Sequence, residues 1–304
     1  GREPAKEKVE QPGKRHALGQ AVGQAIPGVV LPGATGIPLA ALAVPGLEQI
    51  LYAAAILESM PQPVTDAVRE PYGARAVVYC LLLATDGPTR DKQLGVLHDH
   101  AEPQSYEETV RLAPLVRQLA ADARIPLADM AIPALKELAP GQYNRFCEIV
   151  DALVRADNKI ELFEYALQKM LLSTLDVHFG RRKPTRTQFY ALGQLGGPLS
   201  VVLGTLAHAG NKDPELAGTA YRNAMQFLDR PEPIPSRSEC SLRAFDEALA
   251  QLAATSLKLK QRILDACQLC IVADEKVTTR ERELVRVVAA VLECAVPLSP
   301  PKSE

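Results

Sequence analysis

The chain has 304 residues, of which 47% are hydrophobic and 23% are charged, values typical of globular proteins that bury a core. The formal net charge of −2, with balanced signs, argues against the basic surface of a nucleic-acid-binding protein, so we expect no nucleic-acid partner. The absence of Trp and an aromatic content of 5% favour helices packed through aliphatic side chains over a β-sandwich.

The two ends of the chain have the composition of irregular segments. Residues 1–46 begin with charged residues and continue as a Gly/Ala/Pro-rich apolar stretch, which predicts a largely irregular linker. Its prolines interrupt every apolar run well before the ~20 residues that a membrane-spanning helix requires. Residues 297–304 contain three prolines and are expected to form a disordered tail.

Residues 47–180 are predicted to form a first helical domain. Apolar periodicity predicts helices at Leu47–Met60 and Pro71–Thr85, followed by a turn at Asp86-Gly87-Pro88. Ser105 and Glu108 have the spacing of a capping box that opens a helix towards Ala123. Pro114 and Pro133 are expected to kink or break the helices that contain them.

Residues 181–296 are predicted to form a second helical domain. Asp213 and Pro214 supply an N-cap and a first-turn proline for a helix that runs to Leu228. Residues 230–239 contain three prolines and predict a non-helical connection. Three further helices are predicted, at Ser241–Ala254, Lys258–Ala273 and Thr278–Cys294. No alternating β pattern competes, so the fold class is all-α, a multi-helix array.

An internal repeat relates the two halves. The residues from Arg155 to Glu164 match those from Val272 to Glu281 at a constant offset of 117 residues, which places Asp157 on Asp274. The match extends over about residues 143–176 and 260–293, and apolar residues on both sides recur with the spacing of one buried helix face. Each copy is therefore predicted to be a helix, a tight turn that contains an Asp, and a second helix.

Four carboxylates in the repeats, Asp157, Glu164, Asp274 and Glu281, are the candidate metal ligands. Carboxylate oxygens suit a hard divalent cation. The alternative is structural, because Thr278 and Glu281 have capping-box spacing and an Asp can brace a turn. The structural interpretation is favoured, since the lysine two residues after each Asp brings a positive charge to the turn.

Cys267 and Cys270 have the CxxC spacing of redox and zinc sites. A structural zinc site needs a second ligand pair, which the sequence does not supply. The repeat aligns the two cysteines with Val150 and Leu153, which predicts that they pack in the core. The sequence also contains no HExxH, GxSxG or Walker motif, so no catalytic residue and no bound cofactor is predicted for this chain.

The repeated Ala-Asp-x-Lys-Ile/Val-x-x-x-Glu turn resembles the helical module of TerB-like tellurite-resistance proteins. The segments Arg69–Tyr79 and Leu153–Tyr165 are similar to the C-terminal region of bacterial HtpX-like membrane zinc metallopeptidases. This resemblance covers roughly residues 50–295. The catalytic HExxH of that family is missing, so none of its catalytic residues can be assigned to this chain.

The resemblance implies a non-catalytic accessory, regulatory or partner-binding region of a membrane-anchored zinc metallopeptidase. Zinc would then belong to the parent peptidase, and the partners would be its upstream peptidase and membrane domain and protein substrates. The implied location is the cytoplasmic face of the inner membrane, with the present region soluble as a fragment. Two alternatives stay open: a TerB-like divalent-cation-binding module of a stress response, and a purely structural scaffold.

Overall fold

The structure, a computed structural model, describes residues 47–156, 161–273 and 277–294, and of residues 47–51 and 53 the backbone alone. These residues form thirteen α-helices and a single turn of 3-10 helix at Leu192–Gln194. Within this part of the chain the only β-type pairing is an isolated bridge between Phe189 and Thr255. The predicted all-α fold is confirmed. The predicted linker, residues 1–46, and the predicted tail, residues 297–304, lie outside the described residues.

The first eight helices build the N-terminal half of the described chain. Pro stands at the start of several of them, where its missing N–H costs no helical hydrogen bond. The eight are α1 (Leu47–Ser59), α2 (Gln62–Ala67), α3 (Pro71–Leu82), α4 (Gly87–His100), α5 (Pro103–Arg117), α6 (Ala121–Leu135), α7 (Pro140–Val154) and α8 (Leu162–His178).

The other five helices follow a connection that contains the short 3-10 turn. Asp213 caps the second of them by accepting a hydrogen bond from the Glu215 N–H at 2.9 Å, as the sequence predicts. The non-helical connection predicted at residues 230–239 is also present. The five helices are α9 (Gly196–Gly210), α10 (Pro214–Phe227), α11 (Leu242–Leu252), α12 (Leu257–Ile271) and α13 (Thr279–Leu292).

The predicted capping box at Ser105 is wrong. Helix α5 begins two residues earlier, at Pro103, with Glu102 as its N-cap residue. Ser105 is already inside the first turn and is buried. A proline at the first helical position was the stronger start signal, because its fixed φ suits the helix and it has no N–H to satisfy.

The interior prolines do not end the helices that contain them. Pro114 lies inside α5, and Pro126 and Pro133 both lie inside α6. The break in the predicted Ser105–Ala123 helix falls instead at residues 118–120, between α5 and α6. The prolines alone do not determine where a helix ends. Burial of the apolar helix faces on both sides of the break determines where the chain turns.

The described helices bury two hydrophobic clusters within one compact unit. The first extends from Ile56 to Leu175, with α3 packed against α5, α6 and α7. The second contains Ala166 of α8 and extends from Leu192 to Leu292, with α9 packed against α10, α11, α12 and α13. Helix α8 contributes to both clusters and packs against α13. The domain boundary at residue 180 stays a prediction.

No α-helix in the described ranges combines the length and the apolar character needed to cross a membrane.

Candidate functional site

The helix bounds reproduce the internal repeat. Helices α7 and α12 are offset by 117 residues at both ends (257 − 140 and 271 − 154), and the starts of α8 and α13 differ by the same number (279 − 162). The register that aligns the sequences therefore also aligns the folded elements. Each copy is a helix, a short connection and a second helix.

The predicted inner faces of both copies are buried. The apolar residues that match across the offset of 117 are buried in each helix pair, so the two copies use the same positions for packing. In α7 and α12 these are Phe146, Ile149, Val150, Leu153 and Val154, matched by Ile263, Ala266, Cys267, Cys270 and Ile271. In α8 and α13 they are Leu167, Met170, Leu171 and Leu175, matched by Leu284, Val287, Val288 and Leu292.

The glutamate of each repeat caps the second helix of its own copy. The Glu161 backbone N–H donates to Oε2 of Glu164 at 2.9 Å, and the Thr278 backbone N–H donates to Oε2 of Glu281 at 2.8 Å. Each carboxylate thus satisfies a backbone donor that the first helical turn leaves without an intrahelical partner. This is the structural role that the spacing of Thr278 and Glu281 predicts.

The two glutamates have different surroundings. Glu281 is 1% exposed, whereas Glu164 is half-buried. The Thr278 hydroxyl also donates to Glu281 Oε2, at 2.8 Å. A Cβ built on Gly210 would lie 1.8 Å from Oε1 of Glu281, so α9 approaches this carboxylate as closely as a glycine permits. The second copy therefore encloses its glutamate between α9 and α13.

The four-carboxylate metal site stays a prediction. Asp157 and Asp274 lie outside the described residues. Within residues 47–156, 161–273 and 277–294, no group of three or more His, Cys, Asp or Glu side chains is arranged to hold a metal ion. Glu164 and Glu281 are the two members of the predicted site that the structure describes, and both are engaged in helix capping.

The CxxC cysteines belong to the second hydrophobic cluster, where the repeat places them. Cys267 and Cys270 are both buried, and the Cys270 thiol donates to the backbone carbonyl of Leu203 at 3.7 Å. Burial raises the pKa of Cys267 to about 12. A thiolate is the form that binds metal or attacks a disulfide, so this environment opposes both activities.

A row of polar contacts that the sequence reading missed joins α13 to the first half of the protein. Arg282 donates to the Tyr52 hydroxyl at 2.9 Å, and that hydroxyl donates to Asp122 at 2.7 Å. One turn further along, Arg286 forms an ion pair with Asp129 of α6. These contacts cross between the two hydrophobic clusters.

Glu283, on the same helix, is a buried carboxylate. Burial raises its pKa to about 7, against the opposing charges of Arg124, Arg280 and Arg282. The Glu283 carboxyl group therefore changes its charge close to neutral pH. It lies on α13, and its charge interacts with Arg124 of α6.

A sequence signal for this row exists in the spacing of charges. Arg282 and Arg286 are four residues apart on α13, and Asp122 and Asp129 are seven apart on α6. Each spacing places its pair on one face of a helix. Two faces of opposite charge are a hint of contact, although the spacing alone does not select which helix supplies the partner.

Comparisons with models of known protein families, with curated proteins and with solved structures find no match for this chain.

Proposed function

We propose that this chain is a non-catalytic accessory region of a membrane-anchored zinc metallopeptidase, where it binds protein substrates or regulatory partners for the catalytic domain. The observation that carries the proposal is the resemblance of Arg69–Tyr79 and Leu153–Tyr165 to the C-terminal region of HtpX-like peptidases, in a chain without HExxH. An accessory region requires no catalytic residue of its own, which agrees with the sequence.

The location of the first resembling segment supports a role in the fold rather than in catalysis. Residues 69–79 lead into α3 and form its first turns, and the residues from Gly73 onward are buried. Within this segment Arg75 is 4% exposed and pairs with Glu102 at 2.6 Å. Because this segment is mostly buried, it contributes to the packing of the helices. The proposed binding surface would then be formed by exposed faces of other helices.

The gene provides the first test. We expect the codons upstream of Gly1 to encode membrane-spanning helices and an HExxH motif. An upstream sequence that encodes neither would overturn the proposal.

Activity measurements on the parent peptidase provide the second test. Deletion of residues 47–294 should lower kcat/KM for a protein substrate and leave cleavage of a short fluorogenic peptide unchanged, because only the protein substrate is large enough to contact both parts. Equal loss for both substrates would contradict a binding role. Zinc-dependent proteolysis by the purified chain itself would contradict the non-catalytic role.

A second candidate function is TerB-like binding of a divalent cation. The observation that favours it is the equivalent placement of Glu164 and Glu281, each at the third position of its helix and each directed back to its own turn. The ligands would be the four carboxylates named from the sequence.

The second candidate is tested by calorimetry with Ca²⁺, Mg²⁺, Mn²⁺ and Zn²⁺, on the wild type and on the Glu164→Gln/Glu281→Gln variant. Gln retains the capping acceptor, as Gln142 demonstrates in α7, where its Oε1 accepts the Ala139 N–H at 3.0 Å. The variant therefore removes charge without removing the cap. Binding that the variant loses would support the cation role, and no binding by the wild type would reject it.

A further inference from the structure

A cleft on the N-terminal half of the protein is lined by aliphatic side chains and arginines. It lies among α3, α4 and α5, reaches the start of α6, and has a volume of about 210 Å³. Its floor and walls are formed largely by aliphatic side chains, among them Leu81, Leu94, Val110 and Val116. Apolar clefts with a few convergent polar groups are the usual form of a small-molecule site.

All the charged residues that line this cleft are arginines. Arg90 comes from α4, Arg117 from the end of α5 and Arg124 from the first turn of α6. Three separate helices therefore bring arginine side chains to the lining of one apolar depression. Among residues 47–156, 161–273 and 277–294, no Asp or Glu lines it.

Within the part of the chain that the structure describes, the three charges are not neutralised by direct ion pairs. Among the described residues, no carboxylate oxygen lies within 4 Å of the guanidinium nitrogens of Arg90, Arg117 or Arg124. Arg90 donates a long hydrogen bond of 3.4 Å to the Thr85 carbonyl, and Arg124 lies over the ring of Phe163.

Three carboxylates act electrostatically at or near the cleft without forming an ion pair with its arginines. Asp86, whose charge interacts with Arg90, is exposed and caps α4 by accepting the Thr89 N–H at 2.9 Å. Glu108, whose charge acts on Cys80 of the lining, is held by Arg111 through hydrogen bonds of 2.6 and 2.8 Å. Glu283 faces Arg124 from α13, and it is shared with Arg280 and Arg282. The described side chains that line the cleft therefore carry positive charge, and Arg117 has neither Asp86 nor Glu283 among its described ion-pair partners.

The scarcity of uncharged polar groups in the described lining restricts the kind of ligand that the cleft can bind. The uncharged polar side chains in the lining are Cys80 and Thr85, and the Cys80 thiol already donates to the Thr109 carbonyl at 3.3 Å. A peptide would bring backbone N–H donors, for which the Thr85 hydroxyl is the clearest side-chain acceptor in the described lining, and buried N–H groups without acceptors are costly. A hydrocarbon chain with one anionic end has no such groups.

We propose that this cleft binds a medium-chain fatty carboxylate, with its hydrocarbon chain on the aliphatic lining and its carboxylate held by Arg90, Arg117 and Arg124. Arginine suits this ligand, because its planar guanidinium can pair with both oxygens of a carboxylate. A cavity of about 150 Å³ holds benzene, so the volume of this cleft corresponds to a chain of about eight carbons. The site is separate from the repeat carboxylates and does not depend on the peptidase proposal.

The test is calorimetric titration of the full chain with octanoate, with 1-octanol as the uncharged ligand of equal length. We expect saturable octanoate binding with a Kd of about 1 mM or below, and octanol binding at least about tenfold weaker. Octanol that binds as tightly as octanoate, or octanoate that does not bind, would overturn the proposal.

Variants locate the binding. Arg117→Gln changes an exposed residue at the end of α5 and should weaken octanoate binding about tenfold or more, because it removes a charge-assisted hydrogen bond. Ala113→Leu should abolish binding by filling the cleft. Arg145→Gln is the matched control, since Arg145 is an exposed helical arginine outside the cleft, and it should bind octanoate as the wild type does.

Circular dichroism confirms that each variant is folded before its titration is interpreted. Octanoate affinity that Arg117→Gln and Ala113→Leu leave unchanged would overturn the assignment of the site. So would tighter binding of an acetylated peptide that ends in Leu, because a peptide would then be the occupant.

Discussion

Thr278 and Glu281 cap helix α13 reciprocally: the Thr278 N–H donates to Glu281 Oε2 at 2.8 Å, and the Glu281 N–H donates to the Thr278 hydroxyl at 3.3 Å. The first copy has Glu161 and Glu164 in the same positions, where the Glu161 N–H donates to Glu164 at 2.9 Å. The two copies therefore share a register and differ in the burial of the capping glutamate, which is 1% exposed at Glu281 and half-buried at Glu164.

This difference predicts unequal effects of alanine substitutions. Glu281→Ala should lower the free energy of unfolding by about 2 kcal/mol, because it leaves the Thr278 donors without their acceptor in a buried location. Glu164→Ala should cost about 1 kcal/mol or less, because Glu164 is half-buried and water can replace it. Urea unfolding followed by circular dichroism measures both, and equal losses would contradict the difference in burial.

Glu283 predicts a dependence of stability on pH. Burial raises its folded-state pKa to about 7, above the usual 4.5, so the folded protein holds this proton more tightly than the unfolded chain. The associated stability is fully present below about pH 4.5 and is lost as pH rises through about 7, with a total of about 3 kcal/mol.

The Glu283→Gln variant removes this titration. The wild type minus variant difference in unfolding free energy, measured in urea from pH 4.5 to pH 8, should fall with rising pH. A difference that stays flat over this interval would show that Glu283 keeps an ordinary pKa.

Two helical glycines predict opposite effects of the same substitution. A Cβ on Gly73 of α3 would lie 2.3 Å from the backbone oxygen of Ala67, so Gly73→Ala should destabilise the protein by about 1–3 kcal/mol. A Cβ on Gly95 of α4 meets no atom within 4 Å, so Gly95→Ala should stabilise it by about 0.5–1 kcal/mol through helix propensity. Thermal unfolding of both variants checks the signs, and a stabilising Gly73→Ala would contradict the close approach of α2 to α3.

The cysteines predict an order of reactivity. Cys80, Cys147, Cys267 and Cys270 are buried, whereas Cys240 and Cys294 are partly exposed. Burial raises the pKa of Cys267 to about 12, which suppresses its thiolate. Iodoacetamide should therefore modify Cys240 and Cys294 in the native protein and the four buried thiols only after unfolding. Peptide mass spectrometry reads the sites, and early modification of Cys267 would contradict its place in the core.

The sequence by itself determined the helical class and the register of the repeat. Helical periodicity and the match of Asp157 with Asp274 are local patterns, and helix bounds offset by 117 residues follow from them. The same register placed Cys267 and Cys270 in the core. Capping by Glu281 was also readable, because both partners of that contact lie within one turn of the chain.

Only the tertiary structure decided the rest, since contacts between distant segments leave no local pattern. The burial of Glu281 depends on Gly210 of α9, and the raised pKa of Glu283 depends on burial between helices far apart in the chain. The cleft with Arg90, Arg117 and Arg124 exists because three helices converge there. The capping-box spacing of Ser105 misplaced the start of α5, and Pro114 did not locate the break before α6, because packing of the flanking helices determines where the chain turns.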